Sequence, residues 1–119
     1  MQKIMVVEDD EDILLIVAIL LKKNGFSVIQ IDDCKKAIAL AIEYMPDLIL
    51  FDINLGMCDG RKLCLELKTI HKFIAPILLF SANPELASSV ASYKADAFIS
   101  KPFEADELIS NIRTHLSHV

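Results

Sequence analysis

Glu8, Asp9, Asp52, Ser81 and Lys101 share one property: each stands at, or one residue beyond, the exit of a short apolar run. Three of them are carboxylic acids. Gathered in one crevice, three carboxylates repel one another and raise at least one pKa unless a cation joins them. A divalent ion with hard oxygen ligands answers that need. Mg²⁺ suits it because it keeps several waters and is commonly completed by a phosphate oxygen. With two charges from the ion and one from Lys101, the formal charge of the group comes to zero. A carboxylate can then attack phosphorus and form an aspartyl-phosphate, because phosphoryl transfer asks the protein mainly for positioning and charge neutralisation. Ser81 can donate a hydrogen bond to a phosphoryl oxygen, and Lys101 can pair with one as a point charge.

Residues so far apart in sequence need a fold that brings them together. Apolar runs at Lys3 to Val7, Phe26 to Ile31, Leu48 to Phe51, Ile77 to Phe80 and Ala97 to Ile99 read as strands, the third of them apolar throughout, as in a strand covered on both faces. Between them lie helical patterns. Ile13, Ile16, Val17, Leu20 and Leu21 are spaced for one helix ended by Gly25, with Asp10, Glu11 and Asp12 suited to its first turn. A second runs from Lys35 to Tyr44 with Ile38, Ala41 and Ile42 inward, and a third from Arg61 to Ile70 with Leu63, Cys64 and Leu67 inward. A short serine-rich helix is expected over Glu85 to Tyr93, and a last one from Glu104 to about Leu116 with Leu108, Ile109, Ile112 and Leu116 inward.

Strands alternating with helices through short loops indicate right-handed crossovers and a three-layer, doubly wound parallel α/β sheet. The expected strand order is the flavodoxin-like 2-1-3-4-5, in which the first and third strands flank the switch point. Glu8 and Asp9 then meet Asp52 across that crevice. Ser81 and Lys101, ending the fourth and fifth strands, arrive at the same edge.

Composition sets the outer bounds. A chain of 119 residues reads as one domain spanning residues 1–119, long enough to bury roughly two-thirds of its unfolded surface. No apolar run reaches the length of a bilayer span, and acids follow Met1 too soon for a signal peptide, so a cytoplasmic, non-membrane protein is expected. Cys34, Cys58 and Cys64 are odd in number and lack metal-ligand spacing. They read as reduced packing residues. A net charge of −5 without a basic cluster disfavours direct nucleic-acid binding, and none is expected.

Four motifs in this order resemble the receiver domain of two-component response regulators: Val6-Val7-Glu8-Asp9-Asp10, the run Pro46 to Asp52, Ser81-Ala82, and Lys101-Pro102-Phe103. The resemblance covers essentially the whole chain. It implies that Asp52 is the phosphoacceptor and that Glu8, Asp9 and Asp52 hold Mg²⁺ with the backbone carbonyl of Asn54. It further implies that Ser81 and Lys101 are the switch and phosphate-pairing residues, that Phe98 is the switch aromatic, and that Asn54 and Asn83 tune the loss of the phosphoryl group. The partners it implies are a histidine kinase or phosphotransfer protein as donor and an output protein or domain, with the chain a monomer or weak homodimer.

The sequence also departs from that pattern. Gly56 stands where the family commonly carries proline, so a less rigid backbone is expected from Leu55 to Gly60. The habitual glycine near Tyr93-Lys94-Ala95 is missing, and the preceding helix is expected to be short. Two other functions compete with the switch. An aspartate-nucleophile phosphatase would want a general acid near Asp52, where Asn54 stands. A pseudo-receiver would bind partners without phosphorylation, which the intact acids and Lys101 disfavour.

Overall fold

The computed structural model describes residues 1–116. In chain order its elements are β1 (Lys3–Val7), α1 (Glu11–Lys23), β2 (Ser27–Ile31), a short 3-10 turn (Cys34–Lys36) leading into α2 (Ala37–Tyr44), and β3 (Leu48–Asp52). A two-stranded hairpin, β4 (Asn54–Leu55) and β5 (Cys58–Asp59), then precedes α3 (Gly60–Thr69). After it come β6 (Ile77–Ser81), a 3-10 segment (Pro84–Ser89), β7 (Ala97–Ser100) and α4 (Ala105–Leu116).

Five strands pair in parallel in the order β2-β1-β3-β6-β7, the expected doubly wound arrangement. Val7 lies opposite Phe51, and Asp52 opposite Phe80, so the ends of β1, β3 and β6 form one edge. The two-residue period of a strand divides the core. Ile4, Val6, Leu48, Leu50, Leu78 and Phe80 face α1 and α4, which contribute Leu14, Val17, Leu21, Leu108, Ile109, Ile112 and Leu116. Met5, Val7, Ile49, Phe51, Ile77 and Leu79 face the other way, against Ala37, Ala41, Cys64 and Leu67 of α2 and α3. A strand whose residues serve two cores has no place for a polar side chain until it ends, which is where the acids stand.

Four expectations are corrected. The inner face of α1 is Leu14, Val17, Ala18 and Leu21, while Ile16 is 60% exposed. Nine consecutive apolar residues, Ile13 to Leu21, leave periodicity no polar face to read; packing on β1 and β2 chooses the stripe. On α2, Ala37 and Ala41 are buried and Ile42 points out, because the alanines allow a close approach to the sheet. The helix expected over Glu85 to Tyr93 is a 3-10 segment, Pro84–Ser89, capped by Asn83, whose Oδ1 accepts from Glu85 N–H. None of its residues is buried, so no apolar face holds it as an α-helix. Finally, Cys34 and Cys58 are joined by a disulfide across a Cα separation of 6.3 Å, against the reduced state expected of them. Sequence spacing of 24 residues hid a pair that the crossover through α2 and β3 brings together.

Candidate functional site

The site is built at the ends of four strands. β1 delivers Glu8, which is fully buried, and the exposed Asp9; β3 ends on Asp52, 4% exposed. Both buried acids follow apolar residues that leave them no route to water along the strand. Asp10 then starts α1, its carboxylate accepting from the N–H groups of Asp12 and Ile13, which gives that acid the expected capping role.

Carboxylate oxygens of Glu8, Asp9 and Asp52 lie within 4.8 Å of one another. Lys101, just beyond β7, reaches into this group. Its Nζ donates to Glu8 Oε1 at 2.7 Å and to Asp52 Oδ2 at 3.2 Å, and it also sits 4.6 Å from the centre of the Phe80 ring. Burial opposes the lysine's charge, but the Glu8 and Asp52 carboxylates outweigh it and its pKa is raised. Among the acids one cation is not enough. Burial, and next the neighbouring Asp52, push Glu8 up to about 7 despite Lys101, and Asp9 is raised by partial desolvation and by Glu8. Three clustered carboxylates still short of positive charge form an oxygen donor set that fits a hard divalent cation.

The loop after β3 holds Asp52 in place. Asn54 N–H donates to Asp52 Oδ1 at 3.2 Å, and Gly60 N–H donates to the Ile53 carbonyl at 2.9 Å. A Cβ on Gly60 would collide with the Asp52 carbonyl oxygen. Gly60 is therefore a site-building residue that the sequence reading passed over, although a glycine at the first position of a helix soon after a strand-end acid is a visible signal. Gly56 turns the β4–β5 hairpin with φ +67°, a region closed to proline, and a Cβ there would stand 3.5 Å from Asp9 Oδ2. The loop expected to be loose is a paired hairpin resting against the acids. Asp59 completes it, capping α3 at Arg61 N–H and pairing with the Arg61 guanidinium at 2.8 Å, which holds the Asp59 carboxyl below its usual range although burial works the other way.

The remaining sequence-selected residues divide into two groups. Ser81 is fully buried at the end of β6, one residue past the partner of Asp52, and its carbonyl accepts from Lys101 N–H at 2.8 Å. Its Oγ accepts from Asn83 N–H at 3.1 Å, so Ser81 and Asn83 form one turn at the same edge. Phe98 stands apart. It lies within β7 opposite Leu79 and packs, half-buried, on the α2–α3 side of the sheet.

Comparison with known proteins gives this geometry a context. The family described as the response regulator receiver domain matches residues 4–113. The chain is 31% identical over 119 residues to a Synechocystis protein described as DNA-binding dual master transcriptional regulator RpaA. The match covers 98% of this chain and 49% of that protein, so the chain spans about half the length of the curated relative. Among solved structures it is similar to the receiver domain of Francisella response regulator 1452, with a TM-score of 0.91 and 25% identity over 99% of this chain and 98% of that one. The BeF3-activated N-terminal receiver domain of Klebsiella pneumoniae RstA is 28% identical, with a TM-score of 0.89 over 97% and 98% of the two chains. A family match over most of the length, joined to a shared strand order, means that this chain belongs to the response regulator receiver domains of two-component systems.

Proposed function

We propose that the chain is a phosphorylation switch in which Asp52 accepts a phosphoryl group from a histidine kinase or phosphotransfer protein. The observation that carries this reading is Lys101, whose ammonium donates to both Glu8 and Asp52, two of three convergent carboxylates. Glu8, Asp9 and Asp52, with the Asn54 backbone carbonyl, would hold Mg²⁺. A bound dication supplies charge neutralisation for an approaching phosphoryl group.

The chain's own residues do the rest. Asn54 N–H holds Asp52 Oδ1 and so fixes the plane of the carboxylate. A carboxylate oxygen of Asp52 forms the new bond to phosphorus while the bond to the donor breaks, and the leaving group keeps that electron pair. Lys101 already sits beside Asp52 and transfers its hydrogen bonds to a phosphoryl oxygen. Ser81 turns its hydroxyl toward another, which shifts the Ser81–Asn83 turn and the end of β7 through the Ser81–Lys101 backbone bond. Phe98 follows on the opposite side of β7. The acyl phosphate carries about −2 where the carboxylate carried one negative charge, and its strong acceptor oxygens are enough to reposition such a loop. Asn54, hydrogen-bonded to the acceptor, and Asn83, in the Ser81 turn, tune how long the phosphoryl group survives.

The reading assigns the chain as one receiver domain over residues 1–119, cytoplasmic, a monomer or weak homodimer, with an output protein or domain as its target. Among the described residues no helix is long and apolar enough to cross a membrane. We assign it no enzymatic turnover of external substrates, because Asn54 cannot serve as a general acid beside Asp52. Direct nucleic-acid binding is likewise not assigned to a chain of net charge −5.

Incubation with Mg²⁺ and acetyl phosphate, followed by intact mass measurement, tests the switch. One phosphoryl adduct on the wild type and none on Asp52→Asn is expected. Absence of an adduct on the wild type would leave a pseudo-receiver, a reading that the exposed 3-10 segment in place of a helix favours. Sustained hydrolysis of many phosphomonoesters would instead point to the phosphatase.

A further inference from the structure

The disulfide lies beside the proposed phosphorylation site but plays no part in the mechanism above. Cys58 belongs to β5 of the hairpin that follows Asp52, and Cys34 opens the 3-10 turn after β2. The bond closes a loop that contains α2, β3 and therefore Asp52 itself. Two further contacts make its position consequential. The first hairpin residue, Asn54, donates to Asp52, and the hairpin turn at Gly56 abuts Asp9. The hairpin has just two residue pairs of its own, Asn54 with Asp59 and Leu55 with Cys58, too few to hold a ribbon by themselves.

We propose that Cys34 and Cys58 are a reversible redox site whose disulfide state clamps the β4–β5 hairpin against the acids and whose dithiol state releases it. This rests on the switch reading for its functional consequence and on the cytoplasmic assignment for its reversibility, since disulfides there are typically transient or sensing ones. The co-reactant is a low-molecular-weight thiol. Its thiolate attacks the half-buried Cys58 sulfur, the Cys34–Cys58 bond breaks, and Cys34, which is buried, leaves as a thiolate and takes up a proton. A second thiolate attacks the outer sulfur of the mixed disulfide, releasing Cys58 as a thiolate that is protonated in turn. Two external thiols are thereby oxidised to one disulfide, and two electrons and two protons reach the protein. Oxidised low-molecular-weight disulfide reverses the sequence.

The third cysteine does not compete. Cys64 is fully buried under α3, and burial pushes its thiol up to about 12, so it carries little thiolate at neutral pH. It serves as an internal count.

The full chain is equilibrated with oxidised glutathione or with dithiothreitol, acid-quenched, unfolded and alkylated with N-ethylmaleimide. One adduct after oxidation and three after reduction are expected from the three cysteines. Three adducts after oxidised glutathione, or one after dithiothreitol, would overturn the redox site. Hydrogen exchange then reads the clamp. Amides of residues 54–60 are expected to exchange at least about fivefold faster after reduction, and in both Cys34→Ser and Cys58→Ser to be fast whatever the redox state. Equal exchange in the two wild-type states, or a redox response surviving in either variant, sinks the proposal. Asp52 phosphorylation by acetyl phosphate is expected to slow by about threefold or more on reduction, because a released hairpin is less preorganised. Equal rates would remove the link to signalling. No adduct in either state would refute the phosphoacceptor reading instead, leaving thiol count and exchange to decide the clamp.

Discussion

Glu8 holds a costly position: an acid with no exposed surface, a second carboxylate beside it and one lysine to offset both. Its pKa of about 7 in the folded chain lies above the ordinary 4.5. Between those values the folded state binds more protons than the unfolded one, so the Glu8 contribution to stability is greatest below 4.5 and is lost as pH rises through 7. The slope is at most about 1.4 kcal/mol per pH unit. Urea unfolding in the presence of a chelator, at pH 5 and pH 8, is expected to show this fall for the wild type and a flatter profile for Glu8→Gln. Equal profiles would contradict it. Gly60 gives a second test at this scale. Its missing Cβ lets the α3 start lie against the Asp52 carbonyl, and Gly60→Ala must move backbone on one side or the other. We expect a loss of about 2 kcal/mol or more, read by urea unfolding, together with slower phosphorylation. A variant as stable and as readily phosphorylated as the wild type would mean that the contact relaxes freely.

The elements show where sequence patterning stops being informative. α4 was legible because Leu108, Ile109, Ile112 and Leu116 alternate with polar residues, and all four are buried. α1 was not, because its apolar run covers every face and the choice among faces belongs to β1 and β2. Leu21→Ala should cost about 2–5 kcal/mol as a core truncation, and Ile16→Ala, on the exposed side, less than about 1 kcal/mol; an Ile16→Ala loss as large as that of Leu21→Ala in urea melts would return Ile16 to the inner face expected from the sequence. The segment after β6 fails differently. Ala95 N–H bonds to the Val90 carbonyl and Lys94 N–H to the Ala91 carbonyl, the pair of bonds that ends a helix through a left-handed residue. Lys94 occupies that residue with φ +61°, where glycine is favoured. Lys94→Gly is expected to stabilise the chain by about 0.5–1 kcal/mol, and a destabilised variant would show that the lysine side chain matters more than its backbone.

At the scale of the whole molecule, topology rather than proximity in sequence assembles the site. The order of the sheet and the polar residues closing its strands could both be read in advance, since the pattern of apolar runs determines which strand ends share an edge. What could not be read were contacts specified by packing geometry alone: the Cys34–Cys58 bond and the hairpin in the loop between Asp52 and Gly60. Ligand linkage tests the assembled site. Mg²⁺ at ten times its Kd should stabilise the chain by about 1.4 kcal/mol, as binding to the folded state alone requires, and thermal unfolding with and without the ion measures it. Asp52→Asn should lose most of that gain. An equal gain in Asp52→Asn would place the ion elsewhere.

β7 pairs with β6 alone, at the margin of the sheet, and the lysine that answers Glu8 and Asp52 follows directly after it. Translation therefore exposes Glu8 and Asp52 well before it supplies their counter-charge. A chain halted short of Lys101 would lack the ammonium that donates to Glu8 and Asp52, and neutralising its acids would fall to a bound dication alone.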